Sequence, residues 1–292
     1  ARGSEGRGIK VAIIDDGLDL DSAEFSGRVG AGAWDLVDKD ALPQAGGDHG
    51  THVAGTIGAA RNDDGVVGVA PGATLIPLRA FGPDGSVIGG ETTLAEAFNR
   101  ARAAGAQVVN NSWALSAPVG AFTREQAGMT FPKLVEAIRS GVEGGQVLVF
   151  ATGNDGFGDA GIVAGLPKLF PELRRGVIAV GAVDADGKIA PFSNRCGSAA
   201  EWCLVAPGVD VASVLPGGGT QSLSGTSMAA PHVTGAVAVL LELFPFLTPQ
   251  EIADILRQDA GLLRFGAGVD LDIAARVLSL LRHFLRQSHR QL

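Results

Sequence analysis

A parallel α/β fold, with helices on both faces of a central sheet, is what this sequence predicts, and three observations predict it. Short β-rich runs alternate with longer helix-compatible ones along most of the 292 residues. Hydrophobic residues make up 46% of the chain and charged ones 18%, which supplies a sizeable core and too little charge for a disordered protein. Glycine occurs 43 times without a three-residue period, which excludes a collagen-like chain and suits a fold with many tight turns. No repeat, linker or boundary divides the chain, so a single domain spanning 1–292 is expected.

Taken in order, residues 9–14 read as a buried strand ending at Asp15-Asp16-Gly17. Residues 51–60 are small and helix-compatible, and the turn Asn62-Asp63-Asp64-Gly65 follows them. A second strand falls at 74–80 and an Ala-rich helix at 93–104. Residues 107–110 and 146–151 are further strands, with a helical pattern at 131–142 between them. Two more strands are expected at 176–183 and 204–206. Residues 229–243 and 249–258 read as helices, the second with Thr248 as N-cap and Pro249 at its first position. Pro231 is tolerated only in a first helical turn, which places the start of the first of these just ahead of it. Ligands in such folds bind beyond the carboxyl ends of the strands, so Asp15, Ser112 and Asn154 draw attention first.

The formal net charge of −8 argues against nucleic acid as a main partner. No apolar stretch approaches the ~18 residues that would read as a transmembrane segment; the run at 237–241 stops at Glu242. The first residues lack the apolar centre of a signal peptide, so the chain is either cytosolic or has lost a leader.

Three motifs carry chemistry. Gly225-Thr226-Ser227-Met228-Ala229-Ala230-Pro231-His232 sets a serine at the start of an apolar helix, whose unpaired N–H groups and dipole favour negative charge beside it. Taken alone, that serine is equally an N-cap, and Ala229 breaks the Gly-X-Ser-X-Gly elbow of α/β-hydrolases. His49-Gly50-Thr51-His52-Val53-Ala54-Gly55 offers a base among small residues. Its two histidines lack the intervening Glu of a zincin, and His52 reads as a packed helix residue rather than a ligand. Val11-Ala12-Ile13-Ile14-Asp15-Asp16-Gly17 delivers a carboxylate at the end of a strand, or is an ordinary turn. The order Asp, His, Ser along the chain favours the catalytic reading.

Together with Ala151-Thr152-Gly153-Asn154-Asp155-Gly156, these motifs resemble the subtilisin-like serine proteases, the subtilases. The resemblance runs from about residue 8 to 278, through Val67-Gly68-Val69-Ala70-Pro71 to Gly266-Ala267-Gly268-Val269-Asp270. It implies a three-layer subtilisin-like fold and a single catalytic domain. It also implies a secreted endopeptidase acting on polypeptides through Asp15, His49 and Ser227, with Asn154 in the oxyanion hole. A non-catalytic binding protein on the same fold, or an esterase using the same serine, are the alternatives.

By the same resemblance, Ser112-Trp113-Ala114 and Ala151-Thr152-Gly153 form the walls of the primary specificity pocket. Gly85-Ser86-Val87 forms an extended edge for the substrate backbone. Ala114 stands where the family commonly has Gly, so a preference for modest apolar side chains is expected. No cofactor is required for the chemistry. A structural Ca²⁺ is expected at Glu24 and Asn62, because the Asn62-Asp63-Asp64-Gly65 turn matches the family's calcium loop in length; a solvated acidic turn is the other reading.

Asp15-Asp16-Gly17 resembles the kexin branch. Asn110-Asn111-Ser112-Trp113 and the Cys196…Trp202-Cys203 segment resemble bacterial autotransporter passenger domains, which are exported to the cell surface or beyond. Cys196 and Cys203 are the only cysteines, and free thiols or a disulfide are both open from their spacing. Export, as the resemblance implies it, favours the disulfide. A propeptide or downstream domains are further expected partners. The basic, amphipathic stretch at 279–292 reads as a terminal helix or as the start of a downstream region.

Overall fold

The computed structural model describes residues 3–62 and 65–259; the expected closing motif at 266–270 and the basic tail lie outside the described residues. In chain order the elements are β1 (Lys10–Asp15), β2 (Trp34–Asp35), α1 (His49–Gly58), β3 (Thr74–Arg79), α2 (Gly90–Ala103) and β4 (Val108–Asn111). Then come α3 (Arg124–Thr130), α4 (Pro132–Glu143), β5 (Val147–Ala151), a single turn α5 (Leu166–Leu169), β6 (Val177–Val183) and β7 (Cys203–Pro207). A hairpin of β8 (Val211–Val214) and β9 (Thr220–Leu223) precedes α6 (Thr226–Leu243) and α7 (Pro249–Asp259).

Seven strands form one sheet in the order β2-β3-β1-β4-β5-β6-β7, every pair parallel. Parallel strands are buried on both faces, which is why β1, β5 and β6 read as nearly continuous apolar runs. The pleat sends alternate side chains to opposite faces. Val11 and Ile13 enter one core with α1 and α6, whereas Ala12 and Ile14 enter the other with α2 and α4. Helices therefore cover both faces, as expected. After β1 the chain builds outward on one side through β3 and then returns to the other through β4. The strand order thus switches between β1 and β4, and their carboxyl ends open a crevice there.

Helix α6 crosses the middle of one face, touching β4, β5, β6 and β7. By length and composition alone it would suit a membrane, but most of its side chains are buried within the protein. It also corrects one expectation. The helix begins at Thr226, so Pro231 lies beyond the first turn. A proline there cannot donate to the carbonyl four residues earlier, that of Ser227. The Ser112 hydroxyl donates to that carbonyl instead, at 2.8 Å. One replaced hydrogen bond, worth about 1 kcal/mol, is small beside the ~1.5–3 kcal/mol gained by burying each large apolar side chain of α6.

Candidate active site

The chemistry-bearing residues come from four elements whose ends meet at the crevice. Asp15 ends β1, His49 opens α1, Ser112 follows β4, and Ser227 is the second residue of α6. Helix α1 can approach β1 this closely because Gly50 has no side chain; a Cβ there would collide with the Gly17 carbonyl and press on Asp16. Asp15 Oδ1 lies 2.7 Å from His49 Nδ1 and also accepts the Asp16 N–H at 2.9 Å. The other carboxylate oxygen, Oδ2, is buried without a hydrogen-bond partner. An unsatisfied buried carboxylate oxygen favours a positive charge on the neighbouring imidazole.

Burial works against a charged His49, but the Asp15 carboxylate, by charge and hydrogen bond, and the nearby Asp16 outweigh it and push the imidazole up to about 9. The ring keeps 38% of its side-chain surface exposed, so water screens part of that field. Asp16 is itself pushed up to about 6 by burial and by repulsion from Asp15, against the Gly50 N–H that it accepts at 2.7 Å. His52, one turn further along α1, is fully buried, with Nε2 3.0 Å from the carbonyls of both Val211 and Gln221. It fastens the β8–β9 hairpin to α1, a packing role in keeping with the expectation.

Ser227 and Ser112 bond reciprocally. Besides the hydroxyl-to-carbonyl bond already described, Ser227 Oγ donates to the Ser112 carbonyl at 2.9 Å. The serine hydroxyl is thus parked on the crevice wall, and among the described residues His49 forms no hydrogen bond to it. Loose nucleophile–base geometry is common without substrate. Asn110 holds this junction from below, donating to Ser112 Oγ at 2.9 Å and accepting from Thr234 of α6 at 2.7 Å.

Asn154 lies three residues beyond β5. Its side-chain oxygen accepts both the Thr226 N–H, at 2.8 Å, and the Thr226 hydroxyl, at 2.9 Å. With the oxygen so engaged, the NH₂ group is turned towards Gly225, beside Ser227. The Ser227 N–H, in the first turn of α6, has no helical acceptor. Two donors thereby border the serine. Thr226 was quoted within its motif but given no role by sequence reasoning. The signal was its place directly before the serine.

The expected substrate-contacting residues are placed unevenly. Ala114 is exposed, whereas Trp113 is buried between Phe81 and Phe150, with ring centroids 5.8 and 6.0 Å away. The Trp113 side chain therefore belongs to the core, and only its backbone can line a pocket. Ala151 and Thr152 are buried, and Thr152 Oγ1 donates to the Asn194 carbonyl at 3.1 Å. Gly153 has φ +106°, and a Cβ there would collide with the Asn194 amide. Asn194, buried and reaching Thr152, Asp155 and Phe157, was missed because nothing near it in sequence marks it. The segment Gly85-Ser86-Val87 is anchored locally. It closes a tight turn on residues 80–82, with Ser86 O taken by Gly82 N–H and Ile88 N–H given to Ala80 O, because Gly85 at φ +76° and the Asp84 carboxylate fold it back.

Glu24 and Asn62 do come together. Glu24 accepts the Ala60 N–H and the Asn62 side-chain amide, each at 3.0 Å, and the Arg28 guanidinium donates to the Glu24 carbonyl. Calcium takes six to eight oxygens. Here one carboxylate is engaged by N–H donors and a guanidinium stands beside it, and among the described residues no three acidic or His/Cys side chains gather as a metal group. The described donor set does not fit a calcium cage.

Comparison with known proteins places this geometry. The model of the subtilase family of peptidases matches residues 6–276. The chain belongs to the subtilase family. Subtilisin E of Bacillus subtilis (strain 168) is 35% identical over 264 residues, which cover 90% of this chain but 63% of that protein. Subtilisin Savinase of Lederbergia lenta is 36% identical over 280 residues, 94% of this chain and 93% of its own. An intracellular serine protease of Paenibacillus polymyxa is 37% identical over 244 residues, covering 82% of this chain and 68% of that protein. Among solved structures, the protease domain of PatA superposes with TM-score 0.75 at 30% identity, covering 95% of this chain and 97% of that one. A cold-adapted subtilisin-like serine proteinase gives 0.71 at 28% identity, covering 88% and 84%. This subtilase thus has the fold and family expected from its motifs.

Three outcomes follow from the geometry. A base must be neutral to accept a proton, so kcat/KM should rise with pH through a midpoint above the ordinary histidine value of ~6.5. Asp16→Asn keeps an oxygen for the Gly50 N–H but removes a charge that favours the imidazolium, so its pH–rate midpoint should fall; identical midpoints would remove Asp16 from the electrostatics. Asn154→Ala should lower kcat by about 10²–10³ with KM little changed, the magnitude known for removing this donor from a subtilisin.

Proposed function

We propose that this subtilase is a serine endopeptidase that hydrolyses peptide bonds through an acyl-enzyme. What carries the reading is one convergence: a His49 oriented by Asp15 and a helix-terminal Ser227 bordered by two N–H donors. Ser227 Oγ leaves the Ser112 carbonyl, gives its proton to His49 Nε2 and attacks the substrate carbonyl carbon. Nδ1–H stays on Asp15, whose charge stabilises the imidazolium. Asn154 Nδ2 and the Ser227 N–H receive the oxyanion. Nε2 then protonates the leaving amine, and a water molecule repeats the sequence on the acyl-enzyme. Every step uses side chains and backbone of this chain, so the chemistry calls on no cofactor.

Polypeptides are the proposed substrates. Backbone at 112–114 and 151–153 forms the walls of the primary pocket, and the exposed Ala114 methyl favours modest apolar side chains there. Extracellular export is proposed from the Cys196–Cys203 disulfide, since such bonds persist in oxidising compartments. Family alone does not fix location, because the Paenibacillus relative is named as intracellular. The contacts of Glu24 with Ala60 and Asn62 are read as hydrogen bonds rather than as a Ca²⁺ site.

A fluorophosphonate should label the protein on Ser227, located by peptide mass spectrometry, and Ser227→Ala should abolish both labelling and peptide hydrolysis while the chain still folds, its stability lowered by no more than the one hydrogen bond to Ser112 that it loses, about 1 kcal/mol. Full hydrolysis by that variant would sink the reading. EDTA should leave the thermal midpoint unchanged; a drop restored by added Ca²⁺ would show a bound ion.

A further inference from the structure

Between the two proposed pocket walls lies a third segment, and its anchoring is unusual. Gly161 N–H donates to the Thr152 carbonyl of one wall at 2.8 Å. Its neighbours pair with the continuation of the other wall, Val119 N–H to Ala160 O and Ile162 N–H to Ala117 O, each at 2.8 Å. A Cβ on Gly161 would meet the Thr152 carbonyl at 2.9 Å and the Leu115 carbonyl at 3.5 Å. Gly161 and its neighbours therefore link Thr152 of one wall to the segment 115–119 that continues the other, the place a floor between them would take.

What fixes this floor from behind is the disulfide loop. Arg195 N–H donates to the Phe157 carbonyl at 2.8 Å. Ser198 gives its N–H and hydroxyl to Asp159 Oδ1 at 2.9 and 2.7 Å. The buried Trp202 donates its indole N–H to the Ala164 carbonyl at 3.0 Å. These contacts bracket Gly161 on both sides. Ser198 and Trp202 lie within the loop closed by Cys196–Cys203, Arg195 directly precedes it, and Cys203 opens β7, the last strand of the sheet. The covalent link thus ties a short surface loop to the rigid sheet, and the loop in turn holds the floor.

We propose that the Cys196–Cys203 loop, acting through Ser198 and Trp202, holds the floor of the primary specificity pocket and so determines which side chain the pocket accepts. The inference rests on the protease reading above and extends it to residues outside the catalytic group. Among the described residues no hydrogen bond links the loop to Ser227 or His49, so its members are positioning residues. Loosening them weakens side-chain binding while leaving the oxyanion donors and the Asp15–His49 pair as they are. A pocket with fixed walls discriminates a side-chain methylene by about 10–200-fold, and a mobile floor forfeits part of that.

The test compares wild type with a Cys196→Ser/Cys203→Ser double variant and, as a variant that preserves the disulfide and the fold, Ser198→Ala. Each is assayed on peptide anilides differing only in the residue before the scissile bond (Ala, Leu, Phe). Fluorophosphonate labelling counts active sites in every preparation. In the double variant, KM for the preferred substrate should rise by about tenfold and the preference among the three should flatten, with kcat changed far less. Ser198→Ala should move the same ratios by a smaller factor. Labelled enzyme whose KM values and preferences match wild type in both variants would overturn the clamp alone. Wild type that is not labelled on Ser227 would overturn the protease reading and the clamp with it.

Discussion

The arrangement depends on one junction, the pair of hydrogen bonds between Ser112 and Ser227. Each serine offers its hydroxyl to the other's carbonyl, so the end of β4 and the start of α6 are locked face to face. Pro231 is what makes the second bond available, because it leaves the Ser227 carbonyl without its helical donor. The missing helical bond is thus spent on registering the nucleophile against the sheet. Asn110 and Thr234 extend the lock one layer deeper, where both are fully buried and neither polar side chain has water to fall back on. A helix that would otherwise be free to slide along an apolar sheet face is held in a single register.

From that register the electrostatics follow. Once α6 is fixed, Thr226 is fixed, and its two donors settle which way the Asn154 amide faces. A free amide would sample both orientations, and only one presents N–H groups beside the serine. Preorganised donors cost nothing to reorient when negative charge develops, which is the basis of their catalytic value. On the opposite side, Asp16 lies beside Asp15 in a poorly solvated corner, where burial and the Asp15 charge raise the cost of its own, and the nearby imidazole is the group that relieves it. The site concentrates negative charge behind His49 and hydrogen-bond donors around Ser227, the polarity that a proton moving from serine to histidine requires.

Much of this was legible in the sequence, and the reasons are physical. Strands buried on both faces leave continuous apolar runs, so β1, β5 and β6 stood out, as did the residues at their ends. Asp15 and His49, far apart in sequence, could be paired because motif order restricts which ends can meet. What could not be read was anything decided by a partner in space. Trp113 sits within a wall motif, yet its side chain turns into the aromatic core with Phe81 and Phe150. Pro231 looked confined to a first turn because the compensating hydroxyl comes from Ser112, distant in sequence.

Asn194 is the sharpest case, and it explains why specificity is harder to read than catalysis. Its side chain accepts N–H groups from Asp155 and Phe157 and donates to the Thr152 carbonyl. One buried amide thus ties together a wall of the proposed pocket and the segment that leads to its floor. Its own position is fixed by Gly153, where the left-handed backbone leaves room for the amide and a side chain would not. Catalytic groups must be particular residue types, because only they carry the required protons and charges, so they leave motifs. Groups that shape a pocket need only hold backbone in place, and an amide, a hydroxyl or a disulfide can each do that from outside any motif. In this subtilase all three are used within residues 194–203, behind the proposed floor of the pocket.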